Sequence, residues 1–277
     1  MNINREERTL ADGRKLYLYT FDEAEEVLQR QRKFWGIAAP SWRERGAQVE
    51  EWLQPITEAL LRAAPREATA RILDAGCGRC TLPLQGEVVG VDLAQEMLDA
   101  ERRVVQGTCH ALPFRDASFD AAISRLVLML VPHPELAFHE LSRVLKPGGR
   151  LAFAVWGPAE RNGWRVAERV IAQRHGIRPP EPDEPHIWRL SNPDEVMEML
   201  AAAGFDSPSL ERVEVDYFAR IAREEAFETM LTLSGGLQAL WRKLSEEDRT
   251  ELRAGIIQAL NDPRGEAHVY AASRRLA

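Results

Sequence analysis

This 277-residue chain has three cysteines, four lysines and no long apolar run, and each shortage narrows what it can be. Three cysteines cannot build a disulfide framework, so the fold must rest on a packed core. The longest apolar stretch, Leu126 to Val131, is far short of the roughly 20 residues that cross a bilayer. The opening run, Met1-Asn2-Ile3-Asn4-Arg5, has no apolar stretch of the kind found in a secretory signal, and the expectation is a cytoplasmic protein with reduced thiols. Lys15, Lys33, Lys146 and Lys243 are the lysines, and arginine carries the remaining positive charge. A net charge of −7 and a pI near 5.5 speak against a nucleic-acid partner, whose phosphates require clustered cations. What is present, 45% apolar and 29% charged residues, is the composition of an ordinary globular protein long enough to bury a full core.

The most informative segment is Arg71-Ile-Leu-Asp74-Ala-Gly76-Cys77-Gly78-Arg79-Cys80, followed by Val88-Val-Gly-Val91-Asp92. Ile72-Leu73 reads as a short buried strand, and Asp-x-Gly-x-Gly as a turn whose glycines let the backbone approach a ligand. The second strand, Val88 to Val91, ends on an acid. In a strand–turn–helix–strand unit that acid emerges beside the glycine turn, where it can accept hydrogen bonds from both hydroxyls of a ribose.

Around this unit the chain divides by pattern. Asp12-Gly13, between Thr9-Leu10 and Leu16 to Tyr19, predicts an N-terminal hairpin. Residues 22–64 predict two or more amphipathic helices broken near Gly36 and Pro40, with Trp35, Trp42 and Trp52 among their apolar positions. From Ile72 onward strands at 72–73, 88–91, 104–105, 121–124 and 151–155 alternate with helical stretches at 94–102 and 134–145, which predicts a parallel sheet with helices on both faces. Residues 176–187 read as an exposed loop rich in Pro, Asp, Glu and His. A helix from Asn192-Pro193 to Gly204, a strand near 212–218, helices over 223–260 and a last strand at 267–272 complete the chain.

With two further segments, Ala111-Leu-Pro-Phe114-Arg-Asp-Ala-Ser-Phe119-Asp120 and Glu140-Leu-Ser-Arg143-Val-Leu-Lys146-Pro-Gly-Gly149-Arg150-Leu, the chain resembles the class I S-adenosylmethionine-dependent methyltransferases. The likeness is to the small-molecule branch that includes ubiquinone and menaquinone C-methyltransferases, and is strongest over 71–157. The resemblance implies an α/β, Rossmann-like doubly wound seven-stranded sheet, its last strand antiparallel between the fifth and sixth. It divides the chain into an N-terminal hairpin and helical cap, residues 1–64, and a methyltransferase domain, 65–277, carrying a helical lid insertion at 223–260. It implies S-adenosyl-L-methionine as cofactor, S-adenosyl-L-homocysteine as product, and a small organic acceptor. Carried over by residue, Asp74, Gly76, Cys77 and Gly78 would face the methionine part, Asp92 the ribose, and Leu93 and Met97 the adenine, with Thr108 and Cys109 in the turn beyond the third strand.

Three positions depart from the pattern of such relatives. Cys80 stands where many have a third glycine, Thr108 where an acid often meets the adenine, and the segment from Arg79 to Glu87 leaves room for a first crossover helix of only one or two turns. A methyltransferase-like protein that binds the cofactor or another ligand without methylating therefore stays open as an alternative. A nicotinamide-dependent oxidoreductase is the remoter one, because Thr81 takes the third position of its fingerprint. His110, His133 and His186 are the candidate bases should the acceptor need to lose a proton, though each is more readily a hydrogen-bonded or surface histidine, so no catalytic residue is assigned. Cys77, Cys80, Cys109 and His110 have ligand types suited to a thiophilic metal, but small buried thiols are ordinary, and the expectation is no metal.

Overall fold

Strand β3 (Arg71–Ala75) buries four residues in succession, Ile72 to Ala75, as a strand covered on both faces must. Fully burying Ile72 and Leu73 is worth about 1.5–3 kcal/mol each. The computed structural model describes residues 3–9, 15–65, 67–79, 82–99, 101–175, 184–216, 221–261 and 264–276. In it β3 belongs to a seven-stranded sheet with β4 (Glu87–Asp92), β5 (Val104–Gln106), β6 (Phe119–Arg125), β7 (Leu145–Trp156), β8 (Phe205–Asp216) and β9 (Arg264–Arg274), in the order β5-β4-β3-β6-β7-β9-β8. The pairings from β5 to β7 are parallel, and β9 runs antiparallel between β7 and β8. This is the doubly wound sheet with the inserted last strand that the resemblance implied.

Two helices precede the sheet, α1 (Asp22–Glu44) and α2 (Gly46–Ala63). The expected break near Gly36 and Pro40 does not occur, and the chain turns only at Arg45. Proline inside a helix removes one backbone bond, but here the flanking turns are held from outside. Gln31 donates to Leu130 O and Arg43 to Glu96 O, while Trp42 Nε1 donates to Leu233 O at 3.0 Å. Before α1 a hairpin pairs β1 (Ile3–Thr9) with β2 (Lys15–Phe21), longer than the pattern indicated, and its Asp12-Gly13 turn lies outside the described residues.

The first crossover differs from expectation more sharply. Among the described residues between Ala75 and Glu87 there is no helix at all. Pro83 disfavours helical backbone in the residue before it, and a helix has no length in which to repay its nucleation. The helix expected over 94–102 is likewise reduced to one 3₁₀ turn, Gln95–Met97. Asp99 explains the stop: its side chain accepts the Glu101 N–H at 3.1 Å, a local turn that competes with helix.

Beyond β6 the order of elements holds, although β8 begins at Phe205, well before the strand expected near 212–218. Helix α3 (Pro134–Val144) buries Ala137, Phe138, Leu141 and Val144, and α5 (Pro193–Ala202) is capped by Asn192, which accepts the Asp194 N–H at 3.1 Å. Between them lies α4 (Val166–His175), and residues 176–183 of the expected loop are outside the described set. Helices α6 (Arg223–Leu233), α7 (Gly235–Trp241) and α8 (Glu246–Ala259) fill 223–260. Phe227, Leu252 and Ile256 form a small core there with Val166 and Ala167 of α4, separate from the main one. Ser245 opens α8 as expected, accepting the Asp248 N–H at 3.1 Å and donating to its carboxylate at 2.6 Å. Among the described residues no helix is long and apolar enough to cross a membrane.

Candidate active site

The carboxyl ends of β3, β4, β5 and β6 and the inner sides of α1 and α2 enclose a cavity of about 380 Å³. Open parallel sheets gather ligands at this edge. All nine residues singled out from the sequence line it: Asp74, Gly76, Cys77, Gly78, Asp92, Leu93, Met97, Thr108 and Cys109.

The turn after β3 owes its shape to two glycines. Gly76 has φ +76°, and a Cβ there would lie 2.4 Å from the Val127 methyl carbons. Gly78 has φ +50°, and its N–H donates to Asp92 Oδ2 at 2.8 Å. Asp92 Oδ1 accepts the Ala94 N–H at 3.0 Å, so each carboxylate oxygen is oriented by one backbone donor. Burial raises the pKa of Asp92 above the ordinary carboxylate value, opposed by the N–H groups of Ala94, Gly78 and Leu93. The strand ends are laced together by Gly76 and Cys77, which donate to Val91 O at 2.7 and 3.0 Å, and by Gly107, which donates to Asp92 O at 2.8 Å.

Leu93, Met97 and Cys109 add apolar surface beside this acid, and Thr108 lies with them. The Thr108 hydroxyl is engaged with His110 Nδ1 at 2.8 Å. Cys109 is buried, and burial first, then the Asp92 and Asp74 charges, push its thiol up to about 12, so it is a neutral packing group. Its partner in the suggested metal set, Cys80, lies outside the described residues. Among the described residues no group of three His, Cys, Asp or Glu side chains has a metal-holding arrangement.

None of the three candidate histidines lines the cavity. His110 is buried behind Thr108, and burial together with His133 lowers its pKa to about 4. His133 Nδ1 lies 3.2 Å from Glu135, and His186 Nδ1 accepts the Trp188 N–H at 3.1 Å. The two later sequence motifs turn out to clamp each other. Glu140 accepts the Leu112 N–H at 2.7 Å, and Arg143 donates to Leu112 O, Phe114 O and Asp116. Asp120 is paired with Lys146 at 2.6 Å and takes the Arg71 N–H at 2.8 Å, a structural role.

The wall facing the glycine turn comes from the segment 22–64 expected to form a helical cap, where Trp35 and Trp42 stood out in the sequence and the other lining residues did not. Leu28, Gln31, Trp35 and Trp42 come from one side of α1, and Val49, Glu50 and Leu53 from one side of α2. Trp35 and Trp42 meet edge to face with centroids 5.8 Å apart. From the end of β6 comes Arg125, and from the turn that follows it Leu126, Val127, Leu130, Val131 and Pro132. Arg125 could have been found, since it ends a strand at the ligand-bearing edge. Glu50 carries no such signal among the acids of an amphipathic helix. Among the described residues none of 223–260 lines the cavity; that segment meets the helical cap through Trp42 to Leu233 and Arg45 to Thr229.

Residues 73–153 match a family model described as a methyltransferase domain. The malonyl-[acyl-carrier protein] O-methyltransferase of Enterobacter lignolyticus is 34% identical over 155 residues, covering 50% of this chain and 60% of that protein. The enzyme of the same name from Halorhodospira halophila is 31% identical over 185 residues, covering 61% of this chain and 56% of its own. The chain thus spans less than two thirds of the length of these relatives. Among solved structures, YcgJ from Bacillus subtilis aligns with TM-score 0.51 at 18% identity, over 80% of this chain and 98% of that one. Haemonchus contortus phosphoethanolamine N-methyltransferase 2, in complex with S-adenosyl-L-methionine, aligns with TM-score 0.50 at 21% identity, over 81% and 53%. Residues 73–153 thus match a methyltransferase domain, and the seven-stranded sheet shares the fold of these structures.

Proposed function

We propose that this protein transfers the methyl group of S-adenosyl-L-methionine to a small organic acceptor, releasing S-adenosyl-L-homocysteine. The observation that carries the reading is the junction of Asp92 with the Gly76–Gly78 turn on one wall of a ligand-sized cavity. A carboxylate presented at a strand end beside apolar Leu93, Met97 and Cys109 fits a purine nucleoside, and the same residues would hold it: Asp92 the ribose hydroxyls, Leu93 and Met97 the base. Asp74, Gly76, Cys77 and Gly78 would take the methionine end, with Thr108 and Cys109 closing the adenine end.

Bound S-adenosyl-L-methionine supplies a methyl group already activated on a sulfonium. What the chain must then do is align an acceptor atom with it and exclude water. Leu28, Trp35, Leu53 and Leu130 give an apolar wall suited to the second task, and Asp92 and the glycine turn fix the position of the first. Among the described residues no histidine lines the cavity.

In this reading residues 1–64 act as a cap, α1 and α2 covering the site, and 223–260 is the outer half of a lid that braces α1. The acidic chain favours small-molecule partners over nucleic acid, and a cytoplasmic setting suits its cofactor. Calorimetric titration tests the core of it: S-adenosylhomocysteine is expected to bind one to one, and NAD to give no heat. Failure of the protein to bind S-adenosylhomocysteine would overturn the reading. Binding without transfer of labelled methyl to any small molecule would favour the non-methylating alternative.

A further inference from the structure

Beyond the cofactor-facing residues, the cavity is walled by the turn that follows β6. Val127 of that turn packs on the glycine turn, where a Cβ at Gly76 would lie 2.4 Å from its methyl carbons. Leu126, Leu130, Val131 and Pro132 continue the lining from there. The shape of this turn is imposed from outside. Leu126 has φ +62°, a left-handed conformation that a bulky residue adopts only where its surroundings over-determine it. At the near end the Leu126 N–H donates to Ala154 O of β7 at 2.9 Å, and Arg125 donates to Glu50 and Thr57 of α2 at 2.6 and 2.7 Å. In the middle Gln31 of α1 donates to Leu130 O. The far end has prolines at 132 and 134, which bring no N–H, and it is held by Arg189, a residue that does not line the cavity. Arg189 Nη1 donates to Val131 O at 3.1 Å and to Pro132 O at 2.9 Å. Arg189 is itself set in a tight turn. Its N–H donates to His186 O at 3.1 Å, and the next residue, buried Leu190, is left-handed at φ +67°. Two strained turns distant in sequence thus meet through one guanidinium.

We propose that Arg189 is a positioning residue for the methyl acceptor: by holding the Val131 and Pro132 carbonyls it fixes the apolar wall against which an acceptor of largely apolar surface is aligned, while the cofactor's own contacts on β3, β4 and β5 do not depend on it. This deepens the function proposed above and rests on it. Calorimetry gives the affinity for S-adenosylhomocysteine and then, on protein saturated with it, the affinity for 4-propylphenol, a mainly apolar probe. Wild type is expected to bind both. Arg189→Met keeps the stem of the side chain and loses the donor. It is expected to bind S-adenosylhomocysteine within about twofold of wild type and the phenol at least about fivefold more weakly. Arg189→Lys restores one charged donor and is expected to lie between the two, and it carries the test by itself if Arg189→Met fails to fold. Hydrogen exchange of the 126–132 amides in the saturated protein is expected to speed up in the same order. Phenol affinity unchanged in the variants, phenol and S-adenosylhomocysteine weakened in equal proportion, unchanged exchange over 126–132, or no phenol binding by the wild type would each overturn the proposal. A wild type that does not bind S-adenosylhomocysteine overturns the underlying function instead, so the two failures are distinguishable.

Discussion

Gly78 donates its backbone N–H to Asp92 Oδ2 at 2.8 Å, and this bond joins the turn after β3 to the end of β4 where no helix among the described residues stands between them. In a strand–helix–strand unit the helix N-terminus normally contributes to a ligand's field. Here the site relies on Asp92, oriented by Gly78 and Ala94, and on the paired strands beneath it. The acid thus has two tasks, holding the turn and facing the cavity.

Asp92→Ala is expected to weaken S-adenosylhomocysteine binding by about 1.5–3 kcal/mol, through loss of charge-assisted hydrogen bonds. Its effect on folding has a different pH dependence. Because burial raises the folded pKa of Asp92, its contribution to stability is fully present below the unfolded value of about 3.9 and declines as pH rises through the folded value. Urea unfolding should therefore show a larger loss in Asp92→Ala at pH 4 than at pH 7. A loss that grows with pH would mean that the N–H donors outweigh burial.

Gly76→Ala places a methyl in left-handed backbone and 2.4 Å from Val127. The conformational cost of about 1–2 kcal/mol and the overpacking of about 1–3 kcal/mol together predict about 2–5 kcal/mol of destabilisation. Denaturant melts check the figure. The double variant Gly76→Ala with Val127→Ala should recover part of it, and no recovery would remove Val127 from the account.

The sheet and its ligand edge were legible because Ile72-Leu73, Val88 to Val91 and Ala121 to Ser124 are apolar runs whose burial leaves no other arrangement. Asp92 and the glycines were legible because their chemistry depends on local backbone. The two missing helices illustrate the opposite case: at 94–102 apolar spacing favoured helix, but the Asp99 side chain offered the backbone a turn instead. Pro40 misled for the complementary reason, since contacts from Leu130, Glu96 and Leu233 hold α1 together across it. Glu50 was invisible because its meaning comes from Arg125, 75 residues away in sequence.

Cys109 should be unreactive in the folded protein. With its thiol pushed up to about 12, against roughly 8.5 in an unfolded chain, its thiolate population at pH 7.5 falls by about three orders of magnitude. A disulfide reagent should therefore label wild type and Cys109→Ser with the same fast phase under native conditions, the difference of one thiol appearing only in urea. A fast phase lost in Cys109→Ser would place that thiol in an open, ionising environment.

Trp42 connects the cap to the helices behind it. Trp42→Phe keeps most of the ring packing and deletes the Nε1–H bond to Leu233 O, so a loss of about 0.5–1.5 kcal/mol is expected. Because Trp42 also lines the cavity, the variant should reduce the change in tryptophan fluorescence when S-adenosylhomocysteine and an acceptor probe bind. An unchanged signal together with unchanged stability would show that α1 does not depend on this bond.

Asp120 supplies a pH dependence of the opposite sign to that of Asp92. Its hydrogen bond to Lys146, reinforced by the Arg71 N–H, lowers its pKa, so its stabilising effect is present above the unfolded value of about 3.9 and is lost as pH falls through the folded one. Both partners are substantially exposed, which limits the pair to about 0.2–1 kcal/mol. Asp120→Asn can still accept from Arg71 but loses the ion pair. It should be less stable than wild type by that amount at pH 7, and the two proteins should converge as the pH is taken down toward 2. Because neither Asp120 nor Lys146 lines the cavity, S-adenosylhomocysteine affinity should be the same in both. A stability gap that persists in acid would assign the role of Asp120 to its bond with the Arg71 backbone instead of to its charge.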